Sequence, residues 1–222
     1  MRSATSFFNP ALSRSLLRRN WPLIALYALN WFLALPLPML SRALDYRRYP
    51  GDPIDRFDVW NTVLSTSATG GILMAAVFGI CFAMAMYSYL SVPRATAGLH
   101  ALPPRRETLF CTACLTGLVS MLAVQAVTQL LTFFALAACG CAGLSPVGQG
   151  FLAMALPTVF FYFFGVLCMI FTGQILAAPV FYGILNVLVV GVDLLVRNFA
   201  GNFLYGWAGS VTDEYSVWFS PL

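Results

Sequence analysis

The sequence predicts an all-α, polytopic membrane protein with about five transmembrane helices. Three observations carry this reading. The chain is 60% hydrophobic and 9% charged, with a mean hydropathy of +0.81, whereas soluble domains devote about a quarter of their residues to charge. Its apolar residues gather into five long runs, each of about the 20 residues that a helix needs to cross a bilayer. Its charges collect between those runs, because an ionised side chain within hydrocarbon is costly.

The first twenty residues carry Arg2, Arg14, Arg18 and Arg19 ahead of the first apolar run. That run is too long, and lacks a clear small-residue cleavage site, for a signal peptide. Asn9 followed by Pro10 reads as an N-cap with proline at the first helical position. Phe8, Leu12 and Leu16 then recur at helical spacing, with the arginines largely on other faces. This pattern fits a short amphipathic helix on the inner membrane surface, or else a frayed basic tail.

The spans are expected at about Trp21–Leu40, Leu64–Leu90, Leu109–Ala138, Phe151–Phe171 and Ile175–Val196. The last two are nearly continuous, punctuated by Thr172, Gly173 and Gln174. One helix through both would far exceed the bilayer thickness, so a tight hairpin at Gly173 is expected. Pro157 and Pro179 are expected to bend their helices, since proline removes a backbone donor.

Arginine distribution orients the chain. With the N-terminus inside, the inner side holds Arg2, Arg14, Arg18, Arg19, Arg94, Arg105 and Arg106. The first outer loop holds Arg42, Arg47, Arg48 and Arg56, alongside Asp45, Asp52, Asp55 and Asp58. Basic residues rather than net charge set orientation, which favours the inside assignment. The net charge of +4 does not point to nucleic acid. All twelve basic residues are arginine, and most lie beside spans, where they meet anionic headgroups of the lipid bilayer.

No catalytic or metal constellation is legible. Cys81, Cys111, Cys114 and Cys168 read as small apolar packing residues. Cys111 and Cys114 have the spacing of a metal or redox pair, but no second Cys or His pair accompanies them. Cys139 and Cys141, in the second outer loop, are too close for an unstrained disulfide. His100 is the only histidine, and no His-Glu-x-x-His motif occurs. No cofactor, no metal and no enzymatic activity of the chain's own are therefore expected.

Three intramembrane patterns invite two readings each. Ser67, Gly71, Ala75, Gly79 and Ala83 recur every four residues, a spacing that lets helix backbones approach closely. Ordinary packing within the chain is the favoured reading, and a contact face between two copies the other. Gln125, Thr128, Gln129 and Thr132 cluster on one face of the third span. They either line a substrate path or hydrogen-bond between helices. Asn186, Asp193 and Arg197 share a face of the fifth span. An intramembrane acid is a functional candidate, yet Arg197 lies one turn on, so a structural ion pair is favoured over a proton relay.

Two segments carry a family resemblance: FNPALSRSLLRR, from Phe8 to Arg19, and YSYLSVPRATAGLHALPPRRETLF, from Tyr87 to Phe110. The chain resembles the permease subunits of bacterial ABC exporters of the ABC-2 type, especially long permeases of Gram-positive anaerobes. In that group a Met-Tyr-Ser-Tyr-Leu-like helix end is followed by an Arg-containing link, then His-Ala-Leu-Pro and a basic pair. Here these are Met86 to Leu90, Arg94, His100 to Pro103, and Arg105 with Arg106.

The resemblance implies a bacterial plasma-membrane protein with an ABC-2-type transport domain, here lacking its sixth span. It implies a cytoplasmic amphipathic segment (1–20) and a transmembrane domain (21–197) with a coupling loop at 91–108. An extracellular or re-entrant segment (198–222) would follow. Its partners would be an ABC ATPase subunit and a second permease copy or paralogue. The chain has no Gly-x-x-x-x-Gly-Lys-Ser/Thr phosphate loop, so ATP hydrolysis would belong to the separate subunit. That subunit would dock on a loop containing Arg94, Leu99, His100, Leu102, Arg105, Arg106 and Glu107, with Leu99 and Leu102 as its apolar face. The alternatives are a non-transporting membrane sensor or assembly protein, or a secondary transporter. The lone Asp193 and the absence of a visible repeat weigh against the secondary transporter.

Overall fold

Asn9 caps helix α1 (Pro10–Arg19), its side-chain oxygen accepting from the amides of Ala11 and Leu12 at 3.1 and 3.4 Å. Leu16 is buried and Leu12 packs against the core, while Arg14, Arg18 and Arg19 stay exposed. The amphipathic pattern thus has a partner inside the protein as well as a polar face. The computed structural model describes residues 9–48, 56–91, 106–138 and 143–203. All secondary structure among them is helical.

The first apolar run forms two helices instead of one, α2 (Trp21–Ala34) and α3 (Pro36–Arg48). Pro36 and Pro38 have no N–H to give the carbonyls of Phe32 and Ala34, which interrupts the ladder. Leu35 and Met39 keep their bonds, to Trp31 and Leu35 oxygens at 3.1 and 3.3 Å. The helix is therefore interrupted at Leu35, while Trp21–Asp45 as a whole remains long and apolar enough to serve as one span.

Helices α4 (Arg56–Ser91), α5 (Arg106–Ala138) and α6 (Leu144–Thr172) begin earlier than their apolar runs suggest. At 36 residues, α4 is about 54 Å long at 1.5 Å per residue, well beyond a hydrocarbon core of about 30 Å. Its polar first turns hold Asp58, which Arg42 of α3 approaches at 3.8 Å. Hydropathy alone misses such extensions because a helix need not stop where the lipid does.

Among the described residues, four segments are long and apolar enough to cross a membrane: Trp21–Asp45, Arg56–Ser88, Glu107–Ala138 and Leu144–Thr172. The protein is thus a membrane-embedded, multi-pass helical chain. The fifth expected span lies on α7 (Ala177–Phe203), whose apolar stretch among the described side chains, Ala177–Leu188, is shorter than a span. The turn before it centres on Gly173, with φ 60° and ψ 1°, and its amide bonds Met169 O at 3.0 Å. Phe164 and Tyr182, equidistant from Gly173 in sequence, meet at 5.3 Å between ring centroids. Pro157 lies inside α6. Pro179 falls in the first turn of α7, where the backbone N–H groups have no partner within the helix to lose.

Helices α4 and α6 run parallel and form the most extensive contact of the fold. Matching positions advance together along both: Gly71 with Met154, Gly79 with Phe161, and Ala83 with Gly165. Helix α5 runs the opposite way between them and α2. Tyr27 marks the centre, its ring 4.9 Å from Phe78 and 5.7 Å from Phe82 by centroid. Tyr182 anchors α7 by donating to Ala76 O at 2.8 Å.

Candidate functional site

At the centre of the helices the α5 polar face forms a buried layer. Gln125, Thr128, Gln129 and Thr132 are all buried, together with Ser67 of α4 and Thr158 of α6. Gln125 Nε2 donates to Thr158 Oγ1 at 2.6 Å and to Tyr27 OH at 2.8 Å, tying α5 to α6 and α2. Thr158 passes its own proton to Met154 O at 2.8 Å. Gln129 Nε2 reaches Ser67 Oγ at 3.2 Å and the Met154 sulfur at 3.0 Å. Thr128 and Thr132 return their hydroxyls to the helix backbone, at Gln125 O and Thr128 O, both 2.9 Å.

Each glutamine thus uses its amide NH2 to bridge helices, while Gln125 Oε1 and Gln129 Oε1 are buried without a hydrogen-bond partner. Trp31 Nε1 is a buried donor in the same condition. An unpaired buried polar group costs about 1–3 kcal/mol, so the layer combines helix bridging with unspent hydrogen-bonding capacity. The sequence pattern finds its α5 half. It does not single out Tyr27, Trp31 or Thr158, whose only signals are aromatic spacing along the first run and a threonine beside Pro157.

The small-residue stripe lies against α6. Ser67, Gly71, Ala75, Gly79 and Ala83 are all buried. A Cβ on Gly71 would lie 3.1 Å from Ala153 O, and one on Gly79 would lie 3.0 Å from Phe161 O. Pro157 cannot donate to Ala153 O, so the carbonyl freed by the proline is the one that faces Gly71. Helix α6 contributes its own glycine to the seam, Gly165, whose added Cβ would come 3.2 Å from Ile80 Cα.

One end of the bundle gathers three segments that are distant in sequence. The Asn9 amide donates to Thr112 Oγ1 at 3.1 Å, and Thr116 Oγ1 donates to Ser13 Oγ at 3.0 Å. Arg19 spans to the end of α4, donating to Ser88 Oγ at 2.7 Å and Ala85 O at 3.3 Å. Helix α1 therefore seats beside the last turn of α4 and the first turns of α5, which are the two ends of segment 92–105.

Of the expected loop residues, Arg94, Leu99, His100, Leu102 and Arg105 lie outside the described residues. Arg106 opens α5, and Glu107 is exposed in its first turn, where a negative charge suits the helix N-terminus. Asp193 and Arg197 both fall within α7; their side chains lie outside the described residues. Asn186, one face with them, is buried and donates Nδ2 to Tyr182 O at 2.8 Å. Among the described residues no cluster of His, Cys, Asp or Glu could hold a metal ion. Cys81, Cys111, Cys114 and Cys168 are free thiols, and Cys139 and Cys141 lie outside the described residues. Comparison of the chain with protein-family models, with curated proteins and with solved structures finds no match.

Proposed function

We propose that this chain is the membrane permease subunit of an ATP-driven exporter of the ABC-2 type, docking a separate ATPase at the end where α1, α4 and α5 meet. The observation that carries this is the seating of α1 by Asn9–Thr112 and Arg19–Ser88. It brings the amphipathic N-terminal helix beside both ends of segment 92–105, so one soluble partner can touch both. The family resemblance rests on these same two segments. The buried layer around Gln125 and Gln129, with its unspent amide oxygens, supports a polar route through the helices.

In this reading the N-terminus is cytoplasmic, Leu99 and Leu102 enter a groove on the ATPase, and Arg105, Arg106 and Glu107 supply the rim charges. Leu99→Asp with Leu102→Asp should abolish co-purification of an ATPase subunit encoded beside this chain, while membrane insertion is unchanged. Undiminished co-purification would overturn the docking assignment. The second reading, a non-transporting membrane protein, is favoured by one observation: the NH2 groups and hydroxyls of the layer all bond within the chain. ATP-driven flux by the reconstituted pair, lost in Gln125→Leu and Gln129→Leu, distinguishes the two.

A further inference from the structure

We infer that the groove between the N-terminal helices and α5 is a binding site for an anionic phospholipid. Its acyl chains would lie along the groove, with its phosphate at Arg14 and Arg18. The groove has a volume of about 940 Å³ and opens sideways, out of the bundle. One wall runs from Ser13 through Ala28 to Phe32, the other from Leu115 through Ala123 to Leu131. The α5 wall is about 24 Å long at 1.5 Å per residue. That matches one leaflet together with its headgroup layer, about half of a 40–45 Å bilayer.

The groove is apolar along its length, with Ser13, Thr116 and Ser120 among the leucines and valine of the α1 end and Thr128 beside Phe32, Val127 and Leu131 at the far end. The polar groups of the floor make no demand on an apolar guest. Thr116 bonds Ser13, Ser120 bonds Gly117 O at 2.7 Å, and Thr128 bonds Gln125 O. Alanines at the middle of both walls keep the recess deep enough for an alkyl chain.

Charge identifies the guest as a lipid rather than another helix. Arg14 and Arg18 immediately follow Ser13 and Leu17, which line the α1 end of the groove, and both are exposed. Neither has an acidic partner among the described residues, where the ion pair is Arg42–Asp58 at the opposite end. They stand one turn apart, a spacing at which two guanidinium groups can share one phosphate. Basic pockets beside membrane helices hold anionic headgroups in this way. A second copy docked symmetrically on the same face would bring its own Arg14, Arg18 and Arg19 to the same end, where the described acid is Glu107 alone, leaving an excess of positive charge. The site is independent of any ATPase, and its test uses none.

The test uses the purified full chain in mixed micelles containing phosphatidylglycerol or phosphatidylcholine with matched acyl chains. Bound lipid is counted by native mass spectrometry, and a diazirine at the acyl terminus reports where the chain lies. Phosphatidylglycerol should be retained preferentially, with labelling concentrated between Val127 and Leu131. Arg14→Gln with Arg18→Gln should weaken its retention about tenfold, and the double lysine variant should recover most of it. Ala123→Phe should exclude both lipids. If Ala123→Phe fails to fold, the exposed arginine pair still decides. Equal retention of the two lipids, wild-type retention by the glutamine variant, or labelling spread evenly onto Val187 and Leu195 of α7 would overturn the site. Cross-linking of Val127→Cys between copies would do so as well, in favour of a dimer interface.

Discussion

Gly79 faces the backbone of Phe161 so closely that a Cβ would sit 3.0 Å from both its carbonyl carbon and oxygen. The obstacle is main chain, so no rotamer change relieves it. Overpacking a tight interior costs about 1–3 kcal/mol. Gly79→Ala should therefore lower the detergent melting temperature, and Gly79→Leu should also cut the folded yield. Gly148, where an added Cβ meets nothing within 4 Å, is the control, and Gly148→Ala should leave both unchanged. An unaltered melt for Gly79→Leu would mean that α4 and α6 can separate there at no cost.

The Gln125 bridge should behave as a coupled network. Gln125→Leu removes the donor to Tyr27 and Thr158. Thr158 keeps its bond to Met154 O, whereas Tyr27 OH loses the Gln125 donor. Interhelical hydrogen bonds in membranes contribute about 0.6 kcal/mol on average and up to about 1.7, so a loss in that range is expected. Tyr27→Phe removes the hydroxyl that accepts from Gln125. The double variant should then be more stable than the two single losses added together, measured by denaturant titration in mixed micelles. Strict additivity would show that Gln125 and Tyr27 do not interact.

Local features of the fold were legible because they rest on short-range chemistry. Asn9 and Pro10 mark a cap, Gly173 marks a tight turn, and small residues four apart mark a seam. The break at Leu35 is not legible from apolar length, which places a single span there; its cause lies in Pro36 and Pro38. The polar residues of α5 were visible as one face. Their partners Tyr27 and Thr158 were not, since each lies on another helix and only the tertiary arrangement joins them. The early starts of α4 and α6 escaped for a different reason: hydropathy measures the membrane, and the helix ladder continues past it.

Seating of α1 depends on its cap and on Arg19. Loss of an Asn cap costs about 1 kcal/mol, and Arg19 holds Ser88 and Ala85 O. Asn9→Ala with Arg19→Gln should release the helix from the bundle while the spans persist. Hydrogen exchange at the α1 amides should accelerate, and a cysteine placed at the buried Leu16 should become reactive. Protection equal to the parent protein would show that the apolar contacts of Leu12 and Leu16 suffice.

Orientation is tested by labelling. Arg48 and Arg56 flank one end of the bundle, and Ser91 and Arg106 flank the other. Arginine counting predicts that the second end faces the cytoplasm. In a chain stripped of its native cysteines, Pro50→Cys should react with an impermeant thiol reagent added to intact cells. Gly98→Cys should react only after the membrane is opened. The reverse pattern would invert the topology and remove the basis for cytoplasmic docking.

Gly173 offers a test of the hairpin in which conformation alone is at stake. It occupies the left-handed region at φ 60°, and its amide closes the last turn of α6 on Met169 O at 3.0 Å. An added Cβ would meet nothing within 4 Å, so crowding by neighbours contributes nothing. What remains is the strain of holding an L-residue in a left-handed conformation, about 1–2 kcal/mol, which asparagine tolerates better than alanine. Gly173→Ala should lower stability by about 1 kcal/mol, and Gly173→Asn by less. The loss should be read in the pairing of α6 with α7, through a cysteine cross-link between Phe164 and Tyr182 positions that forms more slowly in the alanine variant. Equal stability of the alanine, asparagine and glycine proteins would mean that the turn rearranges freely, and that Phe164 and Tyr182 are held together by the packing of Tyr182 on Ala76 instead.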